Sequence, residues 1–297
     1  MSPRRSKTLR LGLPKGSLQE TTVRLFTQAG FDVRIGPRSY YPDLGDKEFD
    51  CILIRAQEMA RYVDQGVLDA GITGLDWTLE NRAKVKEMAD LRAPWPNYGP
   101  VRWVVAVKNG SSIKGPKDLQ GKHIATEVVG LTKRYLKQHG VTAKIEFSWG
   151  ATEVKPPLLA DAIVDVTETG SSLRANDLRV IDTVLESTPR FIANRVAYAD
   201  DWKRRKMERL LLMLKGAIQA VGRVGLMLNA PESQLSGILK MLPALAKPTV
   251  SHLADGGASW VAINTIVEEN LVRDLVPKLS EAGARGIVEY PLNKIIE

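Results

Sequence analysis

Cysteine is almost absent from this sequence. Its 297 residues include one cysteine, Cys51, so no disulfide can form within the chain. Cys51 lies in the apolar segment 49–54, which predicts a buried structural thiol rather than a nucleophile. A chain of this length without disulfides is typical of a reducing compartment, and we expect a cytoplasmic protein.

Histidine and aromatic residues are also scarce, and long apolar runs are missing. The three histidines, His123, His139 and His252, share no spacing typical of metal ligands, so no structural metal is predicted. Aromatic residues make up 6% of the chain and basic residues alternate with acidic ones, which argues against nucleic-acid binding. No apolar run approaches the roughly 20 residues that cross a bilayer, and no signal-peptide core follows the basic residues 1–7.

What the sequence has in excess is positive charge. Lys and Arg number 42 against 34 Asp and Glu, a formal net charge of +8, in a composition typical of globular proteins. Such a charge suits nucleic acid, an acidic surface or a polyanionic small substrate. The densest basic cluster, 201–207, is interpreted as the solvated face of a long amphipathic helix at 200–220. The charge therefore favours phosphorylated small molecules, but only weakly.

Strand and helix patterns alternate along most of the chain. Strands are predicted at 9–14, 31–35, 49–54, 68–74, 101–107, 122–126, 143–147, 162–166 and 178–185. This alternation predicts an α/β fold with mostly parallel sheets and ligands at the carboxyl ends of the strands. The proline-rich loop 94–100 is predicted to lead into a second lobe. Residues 1–100 with about 187–220 would form lobe I, and 101–186 lobe II, with a cleft between them.

Two strand-to-helix turns carry the residue types that bind anions. In the first, Lys15 follows a strand, and Ser17 and Glu20 are spaced as the capping box of a helix. In the second, a strand at 162–166 runs into a loop of small and hydroxyl residues, which are Thr167, Glu168, Thr169, Gly170, Ser171, Ser172 and Leu173. Free backbone N–H groups at a helix start, with a glycine that permits positive φ, suit a phosphate. On these residues alone, an ordinary polar turn is an equally good interpretation.

The last part of the chain differs in pattern. Residues 221–297 predict strand, helix, two strands, helix and strand, which is a ferredoxin-like βαββαβ unit. This unit contains no evident catalytic cluster. We therefore expect a regulatory or assembly domain.

Four motifs together carry a family resemblance. They are Leu-Pro-Lys-Gly-Ser-Leu at 13–18, Asp-Ala-Gly-Ile-Thr-Gly at 69–74, Gly-Lys-His-Ile-Ala-Thr at 121–126 and the stretch from Asp161 to Asn176. In this order the chain resembles the ATP phosphoribosyltransferases of histidine biosynthesis, in their long form. The resemblance implies a two-lobed periplasmic-binding-protein type II-like catalytic part followed by an ACT-like domain. It implies transfer of the phosphoribosyl group of phosphoribosyl pyrophosphate to N1 of ATP, with Mg²⁺ held mainly by substrate phosphates.

The resemblance also implies roles for individual residues. Loop 167–173 would bind the 5′-phosphate, Asp165 and Glu153 would hold ribose hydroxyls, and Lys15 and Arg55 would lie near the pyrophosphate or nucleotide phosphates. Residues Gly71, Gly74 and Asp76 would shape the opposite wall of the cleft, with Asp76 capping a helix. Glu168 departs from what a phosphate site needs, because a carboxylate facing a phosphate is repulsive. It is expected to point outward or toward Mg²⁺.

A regulatory site is implied in the C-terminal domain. Feedback inhibition by histidine would act there, at Asn229, Leu245, Thr249 and Asp255, between domains of neighbouring subunits in a homo-oligomer ranging from dimer to hexamer. For Asp255 a plain hairpin turn is an equally good interpretation.

Two other functions fit the same architecture. One is a non-catalytic sensor of small ligands, and the other is a prephenate dehydratase-like enzyme, which should lack a phosphate loop. The hydroxyl-rich loop and the pair Lys15 and Arg55 favour the phosphoribosyltransferase, since a sensor has little use for so many phosphate donors.

Overall fold

The first strand, Leu9–Lys15, is almost completely buried because it forms the middle of a parallel trio of strands. The computed structural model describes residues 7–243, 247–254 and 259–296. The strands are β1 (Leu9–Lys15), β2 (Phe49–Arg55), β3 (Ala70–Gly74), β4 (Lys86–Asp90), β5 (Val101–Lys108), β6 (His123–Thr126), β7 (Lys144–Phe147), β8 (Ala162–Thr167), β9 (Leu178–Ser187), β10 (Pro189–Ala193), β11 (Arg223–Pro231), β12 (Thr249–His252), β13 (Trp260–Glu268) and β14 (Arg285–Pro291).

Helices follow many of these strands, as the sequence predicts, but the alternation is incomplete, because β4 leads to β5 and β9 leads to β10 with no α-helix between them. The helices are α1 (Gln19–Gln28), α2 (Ala56–Asp64), α3 (Leu75–Glu80), α4 (Val129–Gln138), α5 (Ser171–Ala175), α6 (Arg195–Ala199), α7 (Asp201–Gln219), α8 (Leu235–Met241) and α9 (Glu269–Glu281). Among the described residues, no helix combines the length and the hydropathy needed to cross a bilayer.

The chain divides into two compact units, which meet inside α7 between Leu211 and Leu212. The predicted start of the third domain, at residue 221, lies beyond this point. The predicted three-domain division stays a prediction, although the strands of the second sheet lie at 101–187, between β4 and β10 of the first sheet, and those of the third sheet lie beyond 221.

The first unit contains two five-stranded sheets with the same relative strand order. In each, the first of the three parallel strands in sequence lies between the other two, and a reversed strand separates the third from the edge strand. The first is β2-β1-β3-β10-β4 and the second is β7-β6-β8-β5-β9. In each sheet the first three strands are parallel, and the fourth, β10 or β5, runs against both of its neighbours. The predicted mostly parallel sheets are therefore mixed sheets with one reversed strand each.

Two crossovers join the sheets, and each leads directly into or out of a reversed strand. The first runs from the end of β4 to β5, and its Tyr98 is fully buried with its hydroxyl 2.7 Å from that of Thr22 on α1. The second is the short step from β9 to β10 at Thr188. Both crossovers therefore lie where the two sheets approach each other.

Helix α3 adds side-chain contacts between the parts of the chain that carry the two sheets. Glu80 accepts hydrogen bonds from the backbone N–H groups of Gly130 and Leu131, at 2.8 and 2.7 Å, at the start of α4. A carboxylate is favoured there because the first N–H groups of a helix lack internal partners. The positions of the two layers are thus fixed by specific bonds as well as by the chain connections.

Two local predictions fail in the first unit. Residues 31–35 form no strand: only an isolated bridge joins Arg34 to Asp43, and the edge of β2 is instead bonded by the carbonyl of Tyr40. The capping box is absent as well, since α1 begins at Gln19 without a side-chain cap. Gly16, at φ +105°, turns the chain so that its carbonyl accepts from the N–H of Gln19.

The thiol of Cys51 is buried in β2, as predicted. Burial raises its pKa to about 12, with smaller contributions from neighbouring aspartates. A thiol with so high a pKa is a poor nucleophile, which agrees with a structural role.

The second unit is an antiparallel sheet in the order β12-β13-β11-β14 with helices α8 and α9. Alternate residues of β11 (Val224, Leu226, Leu228 and Ala230) enter its core together with apolar residues of both helices. The connection strand, helix, strand, strand, helix, strand is the predicted βαββαβ order.

Candidate active site

A cavity of about 370 Å³ lies at the carboxyl ends of the strands in the first unit. Lobe I contributes the ends of β1, β2 and β3, and lobe II contributes the end of β8 and the residue after β6. Both crossovers also line it, through Asn97 and Gly99 on one side and Ser187 and Thr188 on the other. The cavity therefore lies at the edge where α/β sheets bind ligands.

Lobe I presents two cations side by side. Lys15 and Arg55 end adjacent parallel strands and are paired in register, and both line the cavity. Within the described part of the chain, neither side chain has a hydrogen bond or an ion pair within 4 Å. Neighbouring like charges repel, by about 1 kcal/mol at 4 Å in water and more when water is excluded. A polyanion entering the cavity would relieve this repulsion.

Lobe II presents carboxylates and hydroxyls to the same cavity. Thr167 and Glu168 line it at the end of β8, and Glu127 lines it directly after β6. Asp165 does not line the cavity, but the negative charges of Glu127 and Glu153 contribute to raising its pKa. The two walls of the cavity thus differ in sign.

The predicted phosphate loop is organised by its own hydrogen bonds. Gly170 adopts φ +73° at the start of α5, and its N–H donates to Thr167 Oγ1 at 2.7 Å. Arg174 Nη1 donates to the carbonyl of Thr169 at 2.9 Å. A backbone conformation with φ in this range favours glycine. A Cβ at this position would also approach Arg174 Nη1 to 3.0 Å. The loop conformation therefore depends on glycine at this position.

Glu153 lies beside this loop rather than in the cavity wall. It belongs to a short 3-10 helix, Thr152–Val154, and Glu153 Oε1 accepts a 2.7 Å hydrogen bond from Ser172 Oγ. Leu173, also predicted as part of the site, is buried in the lobe II core and anchors the loop. Thr169 and Ser171 remain exposed, with their hydroxyl oxygens 3.1 Å apart.

The carboxylates of lobe II have perturbed acidities. Burial raises the pKa of Asp165 to about 6; the charges of Glu153 and Glu127 add to this, and a hydrogen bond from the N–H of Val166 opposes it. Burial likewise raises the pKa of Glu127, and the positive charge of Arg55 opposes it. Perturbed carboxylates concentrated at a cleft are typical of functional sites.

Asp76 connects the two lobes at the cavity. Its Oδ2 accepts a 2.7 Å hydrogen bond from Trp103 Nε1 on β5, and its backbone N–H donates to Ser187 Oγ at 3.1 Å. Burial raises its pKa against these hydrogen bonds. The predicted helix cap is only partly correct, because Gly74 holds the N-cap position of α3, and among the backbone N–H groups of that helix the side chain of Asp76 accepts from that of Trp77.

The two predicted glycines of the cleft wall have different roles. Gly74 lines the cavity, and a side chain there would collide with the carboxylate of Asp76. Gly71 does not line it: it lies inside β3, where a Cβ would come 2.6 Å from Met59 Sδ. Gly71 therefore serves the packing of α2 against the sheet, and its predicted place in the wall is wrong.

Asp69 of the same motif lies at the opposite end of β3. It pairs with Arg10 at 2.9 Å and with Lys203 of α7 at 2.8 Å. Burial raises its pKa, but the hydrogen bonds from Arg10 and Lys203 outweigh this and lower it. Asp69 thus fastens α7 to lobe I and takes no part in the cavity.

Several cavity residues escaped prediction from the sequence. Ser17 lines the cavity although its spacing suggested a capping box, and Asn97 does so from the first crossover. Glu127 could have been found, since it directly follows a buried strand of the parallel trio, at the edge where ligands bind.

The predicted histidine-binding residues are only partly described. Asn229 and Thr249 lie on the sheet face that does not carry the core of the second unit, since their paired residues, Ala262 and Asn264, share that face. Their Cα atoms are roughly 12 Å apart, because they are separated by two strand spacings across the sheet and two residues along it. Leu245 and Asp255 lie outside the described residues. The two residues therefore share one face of the sheet at a distance that an amino-acid-sized ligand and the two side chains can span.

No group of three or more His, Cys, Asp or Glu side chains in the described part of the chain is arranged to hold a metal ion. The cavity does offer the carboxylates of Glu127 and Glu168. Mg²⁺ commonly takes one or two protein carboxylates and completes its shell with substrate phosphates and water. The donor set thus fits a Mg²⁺ ion that arrives with a phosphorylated substrate.

These residues define a class: a two-lobed α/β protein whose cleft is lined by two cations without ion pairs and by the start of a hydroxyl-rich loop. Two family models identify it further. That of the ATP phosphoribosyltransferases matches residues 55–216, and that of their C-terminal domain matches residues 220–294. The chain belongs to the ATP phosphoribosyltransferase family.

Individual proteins agree with this assignment. An ATP phosphoribosyltransferase of Solibacter usitatus is 58% identical over 97% of this chain and 99% of its own, and one of Chlorobium chlorochromatii is 58% identical over 98% and 99%. The solved ATP phosphoribosyl transferase (HisG:HisZ) complex from Thermotoga maritima contains a chain 27% identical to this one. The match covers 70% of this chain and 98% of that one, with a TM-score of 0.60.

These matches confirm the predicted family, the α/β fold class with its distinct C-terminal domain, and the pentosyltransferase class of enzyme. They decide against the ligand sensor and the prephenate dehydratase-like enzyme as alternatives.

Proposed function

We propose that the cavity of the first unit is where this enzyme transfers the phosphoribosyl group of phosphoribosyl pyrophosphate to N1 of ATP and releases pyrophosphate. One observation carries the proposal: the same cavity is lined by two cations without ion pairs, Lys15 and Arg55, and by residues 167 and 168 at the start of the hydroxyl-rich loop of lobe II. Departure of pyrophosphate leaves negative charge on the leaving group and positive charge on the ribose ring. Fixed groups of matching sign stabilise both as they develop.

The cations of lobe I would hold the pyrophosphate or the nucleotide phosphates. Arg55 presents a planar fork of donors that matches two phosphate oxygens, and Lys15 supplies a compact point charge. Their places at the ends of adjacent strands favour binding of one polyanion by both. Trp77, which also lines this wall, would limit the access of water.

Loop 167–173 would bind the 5′-phosphate. Its exposed hydroxyls, Thr169 and Ser171, and the N–H groups at the start of α5 are the available donors. Ser172 is already bonded to Glu153, so a phosphate that takes this hydroxyl must displace the carboxylate. Glu153 would then be free to accept from a ribose hydroxyl, which is the role that the family resemblance implies.

Asp165 would accept hydrogen bonds from the ribose. Only its ionised form accepts through both oxygens, and burial works against ionisation. Bound ribose hydroxyls would compensate for the lost hydration.

Mg²⁺ would be shared between the substrate and the cavity carboxylates Glu127 and Glu168. When bound, the ion would neutralise pyrophosphate charge as it develops. This placement gives Glu168 a purpose next to the phosphate loop, where a free carboxylate would repel the substrate.

Histidine is proposed as an inhibitor that binds the second unit between neighbouring copies of the chain, in a homo-oligomer. Asn229 and Thr249 lie on the sheet face opposite the core of the second unit, which supports a ligand site on that face. Substituting Asn229→Ala in the full chain should raise the histidine concentration for half-inhibition without changing uninhibited turnover. Alanine added in place of histidine should have no effect, and an unchanged inhibition curve would contradict the assignment.

The activity test mixes the protein with ATP, phosphoribosyl pyrophosphate and Mg²⁺ and follows N1-phosphoribosyl-ATP by its ultraviolet absorbance. Turnover should fall by about 100-fold in Lys15→Met and Arg55→Met, since each removes a charge that stabilises the transition state. Lys137→Met, an exposed lysine of α4 outside the cavity, is the matched control. Full activity in both cavity variants would show that the reaction occurs elsewhere.

A further inference from the structure

The ammonium group of Lys15 lies against an aromatic ring outside the cavity wall. Its Nζ is 3.8 Å from the centroid of the Tyr40 ring. Tyr40 is 52% exposed, so one part of the residue is covered while another remains open to solvent. No hydrogen bond or ion pair fixes this ammonium within the described residues, which leaves the ring as its specific partner.

The backbone holds Tyr40 in place. Its carbonyl accepts a 2.7 Å hydrogen bond from the N–H of Leu53 on β2, the strand next to that of Lys15. The residues around it are ordered by Ser39, whose N–H bonds the carbonyl of Gly36 and whose Oγ accepts from the N–H of Tyr41. The ring is therefore attached to the same sheet that carries Lys15 and Arg55.

The sheet alone does not determine where the ammonium of Lys15 lies. A lysine side chain has four carbon–carbon torsions, and the neighbouring charge of Arg55 repels its end. The face of an aromatic ring attracts a cation and leaves most of its donors free, because the ring accepts no directed hydrogen bond. A cation held in this way stays available to a phosphate.

We infer that Tyr40 is a positioning residue that holds the ammonium of Lys15 at the cavity for the polyphosphate of the substrate. The inference rests on the role of Lys15 proposed above. Tyr40 itself does not line the cavity, so it would act through Lys15 and make no contact with the substrate.

The first experiment compares three single variants by steady-state kinetics at low salt. Tyr40→Leu removes the ring and should raise KM for phosphoribosyl pyrophosphate about five-fold, with a smaller change in kcat. Tyr40→Phe keeps the ring and should stay within about two-fold of the wild type. Tyr41→Leu, the neighbouring tyrosine with 68% exposure, is the matched control and should behave as the wild type.

Two outcomes of this comparison would overturn the inference. Normal kinetics of Tyr40→Leu would show that the ring does not matter, and a Tyr40→Phe variant as impaired as Tyr40→Leu would assign the effect to the hydroxyl. Because Tyr40 is half exposed, the variants should keep the melting temperature of the wild type. Absence of turnover in the wild type itself would instead overturn the proposed function.

The second experiment separates positioning from direct contact. In a Lys15→Met background, Tyr40→Leu should cause no further loss, since the ring then has no cation to hold. A further five-fold loss in that background would show that Tyr40 contacts the substrate directly and would overturn the positioning role.

Discussion

The two five-stranded sheets of the first unit have the same strand order but opposite chemistry at their carboxyl ends. In lobe I the parallel strands β1 and β2 end at Lys15 and Arg55. In lobe II the parallel strands β6 and β8 are followed by Glu127, Thr167 and Glu168. The same scaffold therefore carries a cationic wall in one copy and a carboxylate and hydroxyl wall in the other.

This difference shows that function resides in the few residues after the strands. The repeated scaffold supplies two facing edges, and the residues after each strand decide what each edge binds. A substrate with a phosphate at one end and a pyrophosphate at the other suits two walls of different character. Substitutions in lobe II and at the contact between the lobes test this difference, beginning with the largest expected effect.

The largest effect is expected from the loop of lobe II. The variant Gly170→Val forces a β-branched residue to φ +73° and pushes it against Arg174, which should distort the loop and reduce turnover about a thousand-fold. Steady-state assays and phosphoribosyl pyrophosphate titration measure this.

A second glycine controls for backbone strain in this variant. Gly140 has a similar φ of +66°, open space around it and no place in the cavity. The variant Gly140→Val should lose comparable stability and keep its turnover. Equal loss of turnover in the two variants would assign the effect to general destabilisation rather than to the phosphate loop.

Local and long-range features of the two lobes differ in how well the sequence predicts them. Most apolar strands and the loop 167–173 are local patterns, and they were predicted close to their observed places, whereas β4 and β10 were not predicted. The capping box at Ser17 was also local, but the turn at Gly16 overrides it and leaves Ser17 in the cavity wall. Local patterns therefore predicted most elements, but they failed where a tight turn replaced the predicted local contact.

Features that depend on distant parts of the chain were beyond prediction from the sequence. Asp76 and Trp103 meet because a crossover brings β5 beside α3, and no local pattern of either residue reveals it. The mutual influence of Glu127 and Asp165 requires that β6 and β8 be neighbours in the sheet. Strand order is a property of the whole lobe, so the family resemblance, rather than spacing, led to Asp165.

A smaller effect with two readouts is expected from Asp165→Asn. Burial raises the pKa of Asp165 from 3.8 to about 6, so between these values the folded chain keeps a proton that the unfolded chain loses. Stability therefore falls as pH rises through this window, by up to about 3 kcal/mol, and stays low above it. The variant should remove this loss and be more stable than the wild type at pH 8, as measured by urea unfolding.

The same variant should lose activity. If ionised Asp165 holds the ribose, wild-type kcat/KM for phosphoribosyl pyrophosphate should rise with pH through about 6. In Asp165→Asn it should be about ten-fold lower at pH 8, without that rise. If kcat/KM of the variant still rises with pH through about 6, the ionisation of another group causes this rise.

The smallest effect on catalysis is expected where the two walls are joined. Trp103→Phe removes the hydrogen bond to the buried carboxylate of Asp76 and should cost about 2 kcal/mol of stability, with turnover changed less than about five-fold. Burial raises the pKa of Asp76, so ionisation of this carboxyl group opposes folding as the pH rises. The hydrogen bond from Trp103 stabilises the ionised form, and Trp103→Phe removes it. The destabilisation should therefore grow as the pH rises through the ionisation of Asp76. Trp77→Phe, which changes the other ring of the pair 5.8 Å away, controls for ring size in the melting curves. A defect independent of pH would show that Trp103 acts through packing alone, and that the walls are joined by shape rather than by this hydrogen bond.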